Sequence, residues 1–239
     1  MTTLVTDLKI KLFADGADSQ GMLEMNAKPF IQGLTTNPTL MRKVGITDYR
    51  QFSKEILKEI TVKPISFEVF SDDLDEMQRQ GLEIASWGEN VYVKIPVTTT
   101  KGESTVSVVE HLTNQSVKVN VTALMTEKQV RHVFEAINPS TPSCISVFAG
   151  RIADTGRNPV PIMTAALELL KSNNNCELIW ASPRELLNVF QANEIGCHII
   201  TATNDILKKL ELVGYDLTAY SLDTVKMFHR DALEAGFYL

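Results

Sequence analysis

The chain has 239 residues, 44% hydrophobic and 22% charged, a balance typical of a globular protein large enough for one α/β domain. Its net charge of −6 and the lack of a dense Lys/Arg cluster argue against a nucleic-acid partner. No apolar run is long enough to span a membrane, and the N-terminal sequence lacks the pattern of a signal peptide, so we expect no membrane partner.

The cysteines and histidines give no metal motif. Cys144, Cys176 and Cys197 are odd in number, form no Cys-x-x-Cys pair and lie at or near the starts of strand-like segments. We therefore expect buried free thiols and a cytoplasmic location, where thiols stay reduced. The four histidines show no ligand spacing, so no metal site is predicted.

Strand-like and helix-like segments alternate along the chain. Strands are predicted at residues 9–15, 33–38, 65–70, 91–97, 117–122, 144–149, 176–182 and 197–202. Helices are predicted at residues 39–60 with a turn near Gly45, 72–86, 103–112, 127–137, 159–171, after Pro183, 204–212 and 222–235. Thr126 is the predicted N-cap of the helix at 127–137. The segment with Arg151, Asp154, Gly156 and Arg157 is predicted as a loop.

Eight strands alternating with helices over ~200–250 residues are typical of a (β/α)8 TIM barrel. An open doubly wound sheet is the competing fold, but it would carry a glycine-rich phosphate loop after an early strand, and the sequence has none. No low-complexity linker divides the chain. We therefore predict one α/β domain over residues 1–239, a single TIM barrel with an extra C-terminal helix.

The fourth predicted strand contains a lysine in an apolar setting. Because side chains alternate on a strand, the Val and Ile residues at 91, 93, 95 and 97 share one face and Lys94 lies on the other. Burial disfavours a protonated amine, and a neutral amine is a nucleophile that can form a Schiff base with a carbonyl. The alternative is a strand-end lysine that reaches to water.

Polar residues recur at one parity, at or near the ends of the predicted strands. They are Asp15, Asn37, Glu68, Lys94, Asn120, Thr122, Ser146 and Ser182. Apolar residues of the opposite parity should face the covering helices, so the polar side chains should point into the barrel near its C-terminal face, where barrel enzymes keep their sites. Individually, Thr122 and Ser146 could satisfy local hydrogen bonds and Asn37 could cap a helix. Together they predict a functional cluster.

The cluster fits Schiff-base chemistry. A lysine of this kind needs an acid or an activated water to remove the carbinolamine hydroxyl, and carbon–carbon cleavage needs a base for the hydroxyl proton. Glu68 and Asp15 can fill these roles. Arg151 and Arg184 follow the sixth and seventh strands, where barrels often hold phosphate, and arginine suits a phosphate or a sulfonate. The alternative is that both arginines form surface ion pairs.

Five motifs in this order resemble the transaldolase family, in its short form similar to the fructose-6-phosphate aldolases. They are Gly33-Leu34-Thr35-Thr36-Asn37-Pro38-Thr39-Leu40, Val93-Lys94-Ile95-Pro96-Val97-Thr98, Asn120-Val121-Thr122, Phe148-Ala149-Gly150-Arg151 and Ala181-Ser182-Pro183-Arg184. The resemblance runs from about Lys9 to Leu212. It implies a class I Schiff-base aldolase superfamily member that needs no cofactor and no metal.

The resemblance implies a role for each site residue. Lys94 would attack the ketone, Glu68 would shuttle protons through a water, and Asp15 would take the proton of the hydroxyl beside the breaking bond. The implied substrate-binding residues are Asn37, Thr36, Asn120, Thr122, Ser146, Phe148, Arg151, Ser182 and Arg184. Asn37 and Asn120 would hold substrate hydroxyls. Thr122 and Ser146 would line the lysine pocket. The distal anion would be bound by Arg151, Ser182 and Arg184.

Two positions favour transfer over cleavage. Glu68 matches the transaldolases, whereas fructose-6-phosphate aldolases have glutamine there, and Phe148 stands where those aldolases carry a tyrosine that helps protonate the enamine. Pro183 departs from the family, which usually has an aromatic residue at that position. This leaves the acceptor and its anion open: phosphate is the default, and a sulfonate or an unusual sugar is the alternative. The predicted function is a transaldolase that moves a dihydroxyacetone unit from a ketose phosphate or sulfonate to an aldehyde.

Two alternatives are an aldolase that releases free dihydroxyacetone and a non-catalytic barrel that binds sugar phosphates. The presence of the lysine and both carboxylates argues against the second. The resemblance also implies a homo-oligomer, a dimer, pentamer or decamer, because the C-terminal helix of short family members reaches a neighbour. The apolar residues at 222–237 and the end Phe237-Tyr238-Leu239 fit that role.

Overall fold

The structure, a computed structural model, describes residues 4–238. Part of the N-terminal sequence, Met1 to Thr3, and Leu239 of the predicted apolar end lie outside the described residues.

Eight parallel strands close into a barrel in which each strand pairs with the next and the last pairs with the first. β1 to β8 cover Lys11–Asp15, Ile31–Thr35, Ile65–Glu68, Val91–Pro96, Val119–Leu124, Ser143–Val147, Cys176–Trp180 and Ile199–Thr203. The prediction of a TIM barrel is therefore confirmed.

Helices follow the strands, and those before α11 surround the barrel. α1 to α11 cover Ser19–Asn26, Pro38–Lys43, Tyr49–Glu59, Leu74–Ala85, Val106–Asn114, Glu127–Ala136, Ala149–Asp154, Val160–Leu170, Leu187–Glu194, Asn204–Lys208 and Leu217–Glu234. Short 3-10 turns lie at Val5–Asp7 and Lys209–Leu212. Thr126 is the N-cap of α6, as predicted, because its hydroxyl accepts the Gln129 amide at 3.2 Å.

The second strand and the helices around it differ from prediction. β2 ends at Thr35, two residues before Asn37, because Asn37 is the N-cap of α2 and Pro38 is its first residue. The sequence pattern does not predict α1, because its interior contains Gly21, a residue that weakens a helical pattern. Asp18 stabilises this helix as its N-cap by accepting the Gly21 amide at 2.7 Å.

The segment after the sixth strand is also more regular than predicted. Arg151 and Asp154 lie on α7 and not in a loop. The second residue of α7, Gly150, must be a glycine, because a Cβ at this position would lie 1.6 Å from the carbonyl oxygen of Ser182. The close approach brings the start of α7 against the backbone that follows β7, so the two predicted anion-binding segments become neighbours.

The two faces of the strands separate as predicted. The outward-facing Phe67, Val93, Val121 and Ile145 are fully buried in the large cluster between sheet and helices. Inside the barrel, a smaller apolar cluster consists of Phe13, Cys144, Ile179, Ala181 and Ile199. The three cysteines are buried free thiols, as predicted, and burial raises the pKa of each.

α11 stands apart from the barrel, since none of its residues is buried. Several of its apolar side chains are exposed to solvent, among them Leu222 at 53%, Val225 at 60% and Phe228 at 64% exposure. Between residues 4 and 238, none of the helices has the length and hydropathy needed to cross a membrane.

Candidate active site

A cavity of about 490 Å³ opens among the ends and following loops of the barrel strands. Its lining includes all but one of the predicted site residues: Asp15, Asn37, Glu68, Lys94, Asn120, Thr122, Ser146, Phe148, Arg151, Ser182 and Arg184. Pockets of this size hold small ligands. The polar parity of separate strands therefore converges on one volume, as the sequence predicted.

Lys94 lies inside the barrel with only 7% of its surface exposed. Its Nζ donates to the carbonyl oxygen of Thr36 at 2.9 Å and lies 3.3 Å from Glu68 Oε2. Glu68 and Lys94 are cross-strand neighbours in the β3–β4 ladder, which sets this pairing. The amine is thus held in the cavity wall beside a carboxylate able to exchange protons with it, directly or through a water.

Asp15 ends β1 and places a second carboxylate in the same cavity. Burial raises its pKa above the usual range, while the charge of Lys94 and hydrogen bonds from Thr35 and Asn37 act in the opposite direction. Thr35 Oγ1 donates to Asp15 Oδ1 at 2.8 Å, and Asn37 Nδ2 lies 3.2 Å from Asp15 Oδ2. A raised pKa makes the ionised form a stronger base, which suits removal of a proton from a hydroxyl.

Asn37 has two roles in the structure. Its Oδ1 accepts the Leu40 amide at 2.9 Å as the N-cap of α2, and its Nδ2 faces Asp15. Thr36 is the predicted site residue outside the cavity lining. Its side chain is fully buried and its hydroxyl donates to the Ser66 carbonyl at 2.8 Å, so only its own carbonyl reaches Lys94.

A hydrogen-bonded row crosses the middle of the barrel. Ser146 Oγ donates to Asn120 Oδ1 at 2.7 Å, and Asn120 Nδ2 donates to Ser66 Oγ at 3.0 Å. These bonds fix the Asn120 amide and leave it one N–H and one lone pair for a ligand. Thr122 precedes a bulge at Ala123, where φ is +66°, and its buried hydroxyl has no partner among residues 4–238. That hydroxyl is available to a water or substrate.

The rim of the cavity carries the predicted anion-binding residues. Arg151 on α7 is exposed, and Ser182, with φ +58°, turns the chain after β7. Arg184 pairs side-on with Asp154 of α7, with Nε 3.0 Å from Oδ1 and Nη2 against Oδ2. The side-on pairing occupies one edge of the guanidinium and leaves Nη1 for a ligand. Arg184 thus forms an ion pair, as the alternative expected, and its side chain also lines the cavity.

Three threonines of the site are not among the predicted residues. Thr35, Thr201 and Thr203 also line the cavity, and the hydroxyls of Thr35 and Thr201 lie 2.5 Å apart. Thr201 and Thr203 have the inward parity of β8, so the parity rule that found Lys94 could have found them. Over residues 4–238, no three His, Cys, Asp or Glu side chains come together as a candidate metal site.

Comparisons with known proteins all point to one family. A profile of the family described as Transaldolase/Fructose-6-phosphate aldolase matches residues 12–237. The chain is 33% identical over 224 residues to a protein named probable transaldolase from Thermoanaerobacter sp. (strain X514), covering 93% of this chain and 98% of that protein. It is 34% identical over 203 residues to a probable transaldolase from Sulfurihydrogenibium sp. (strain YO3AOP1), covering 84% and 88% of the two chains. A probable transaldolase from Clostridium acetobutylicum is 32% identical over 230 residues, covering 95% of this chain and 99% of the relative.

Proposed function

The chain belongs to the transaldolase/fructose-6-phosphate aldolase family, and we propose that it is a transaldolase that transfers a dihydroxyacetone unit through a Schiff base on Lys94. The donor is a ketose phosphate or sulfonate and the acceptor is an aldehyde. The observation that carries this proposal is the buried Lys94 amine, 3.3 Å from Glu68 and in one cavity with Asp15.

The first half of the reaction forms the Schiff base. The lone pair of the Lys94 amine attacks the ketone carbon of the donor and gives a carbinolamine. Glu68, acting through a water, delivers the proton with which the hydroxyl leaves as water, and a protonated imine remains. The geometry supports this because the Glu68 carboxylate lies beside Nζ and the free Thr122 hydroxyl lines the same cavity.

The second half breaks and remakes a carbon–carbon bond. Asp15 takes the proton of the donor hydroxyl next to the scissile bond, and the bond electrons move to the iminium nitrogen, leaving an enamine as an aldehyde departs. The enamine carbon then attacks the acceptor aldehyde, and Asp15 returns the proton to the new alkoxide. Hydrolysis of the imine releases the product and the Lys94 amine.

The fate of the enamine decides between transfer and cleavage. Phe148 lines the cavity and has no proton to give, so the enamine waits for an acceptor. Asn37 and Asn120 keep donors for the hydroxyls of the bound unit. An acid in the place of Phe148 would protonate the enamine, and free dihydroxyacetone would leave.

The distal anion of the substrate binds at the rim. Arg151 and the Nη1 side of Arg184 provide positive charge beside Ser182. Phosphate and sulfonate both fit this chemistry, and the sequence at Pro183 does not decide between them. Neutral sugars would lose the charge-assisted contacts.

The apolar side chains of α11 support a homo-oligomer in which this helix packs on a second copy of the chain. A helix without a buried residue that exposes Leu222, Val225 and Phe228 has not found its packing partner within one subunit.

The test is an assay of ketose donors against aldehyde acceptors, both phosphorylated and sulfonated, with transferred product and free dihydroxyacetone measured separately. We expect product formation that requires the acceptor. Release of dihydroxyacetone at the same rate without an acceptor would assign the protein to the aldolase branch. No reaction with any pair would leave a ligand-binding barrel.

A further inference from the structure

The inward-facing carboxylate of Glu68 stands at a break in the barrel's hydrogen bonding. The β2–β3 ladder has only two paired positions, and its last backbone bond runs from the Thr36 amide to the Ser66 carbonyl at 3.3 Å. β3 remains paired with β4 on its other side, where the Val69 amide donates to the Lys94 carbonyl at 3.0 Å. In a parallel sheet, the backbone N–H and C=O of successive residues point alternately to the two neighbouring strands. The N–H and C=O of Glu68 therefore point toward the β2 side, where β2 has already ended.

One side chain replaces the missing β2 backbone as hydrogen-bond partner. The hydroxyl of Tyr49, the first residue of α3, accepts the Glu68 amide at 2.7 Å and donates to the Glu68 carbonyl at 3.1 Å. It therefore satisfies both backbone groups that β2 would otherwise pair. Burial raises the pKa of Tyr49 well above its usual range, so the hydroxyl keeps the proton that it donates.

The Tyr49 ring is itself held in place. It packs edge-on against Phe70 at 4.4 Å and Phe67 at 6.2 Å between ring centroids, and it lies 5.8 Å from Trp87. The hydroxyl thus has little freedom to leave the Glu68 backbone, and the aromatic packing does not depend on it.

We propose that Tyr49 is a positioning residue that holds the Glu68 backbone in place of a β2 rung and so fixes the Glu68 carboxylate against the Lys94 amine. It does not line the cavity, and its hydroxyl forms hydrogen bonds with both backbone groups of Glu68. The inference rests on the proposed function, because it assigns Tyr49 to the proton transfer of Schiff-base formation.

The test is Tyr49→Phe, which keeps the ring packing and removes both hydrogen bonds. We expect borohydride trapping of a ketose donor to slow by about tenfold, since general acid–base catalysis by a misplaced group loses part of its advantage. KM for the donor should stay within about twofold because the substrate contacts are untouched. The control is Tyr92→Phe, on the same barrel, whose hydroxyl makes no hydrogen bond within residues 4–238; it should trap at the wild-type rate.

A double-mutant comparison distinguishes positioning of Glu68 by Tyr49 from a general loosening of the surrounding structure. In a Glu68→Ala background, Tyr49→Phe should give no further slowing, because the group that it positions is gone. The same tenfold loss in both backgrounds, or no loss in either, would overturn the proposal while leaving Lys94 chemistry intact. If the wild-type protein traps no donor at all, the proposed function itself fails, so the two failures are distinguishable.

Discussion

The pKa of Asp15 should be tunable through Thr35. Opposing influences set it: burial raises the pKa, and the charge of Lys94 together with hydrogen bonds from Thr35 and Asn37 to the carboxylate lowers it. In Thr35→Val the bond to Asp15 Oδ1 at 2.8 Å is lost with little change in side-chain shape. The carboxylate becomes less stable relative to the neutral acid, so the Asp15 pKa must rise.

The size of the rise follows from the bond that is lost. A hydrogen bond to a charged group contributes about 1.5–3 kcal/mol, and one pKa unit corresponds to about 1.36 kcal/mol. Because Asp15 lines an open cavity, water can take part of the vacated position, and the lower end of the range applies. We expect the Asp15 pKa to rise by about one unit.

The assay is the pH dependence of kcat/KM for transfer. Asp15 must be ionised to accept the hydroxyl proton, so activity is lost as the pH falls through its pKa, and the acidic limb in Thr35→Val should lie about one pH unit higher. Thr201→Val is the matched control, because it removes the 2.5 Å contact with the Thr35 hydroxyl but keeps the Thr35–Asp15 bond. An acidic limb that stays in place in Thr35→Val, or moves equally in both variants, would refute the role of Asp15 as the base.

Three further results are expected. Arg184→Ala should raise KM about tenfold for a phosphorylated or sulfonated substrate but not for its neutral analogue, and equal losses for both would exclude anion recognition. Phe148→Tyr should increase acceptor-independent release of dihydroxyacetone, by roughly tenfold for each 1.4 kcal/mol gained in enamine protonation. An unchanged release rate would show that this position does not control the enamine. Phe228→Glu should reduce the mass measured by light scattering if α11 packs between copies, whereas Lys226→Ala should not; identical masses would place the contact elsewhere.

The barrel and the polar cavity residues carried by its strands could be predicted from sequence because both follow from alternation. A period of two puts Glu68, Lys94 and Asn120 on one side of their strands and apolar residues on the other. Closure of the barrel then turns the polar side toward the interior. The rule does not describe the chain beyond the strand end. Asn37 lines the cavity as a helix cap that follows β2, and Thr36, which only the resemblance implied, donates its hydroxyl to the Ser66 carbonyl.

Some of the features that the sequence does not predict are tertiary contacts without a periodic pattern. Tyr49 meets the backbone of a residue nineteen positions later, and a side chain bonded to main-chain atoms gives no pairing signal in a single sequence. Asp154 pairs with an arginine thirty positions away across a close approach that only Gly150 permits. α1 and α7 are short helices with an internal glycine, which local propensity argues against.

The central claim is that Lys94 carries the covalent intermediate, and reductive trapping tests it most directly. Borohydride added with a ketose donor should increase the mass of the protein by one reduced adduct, and peptide mapping should place the adduct on Lys94. Lys94→Arg should show no adduct and no turnover, because guanidinium stays protonated and cannot attack. An adduct on Lys63, Lys101 or Lys118, or unchanged turnover in Lys94→Arg, would contradict the account.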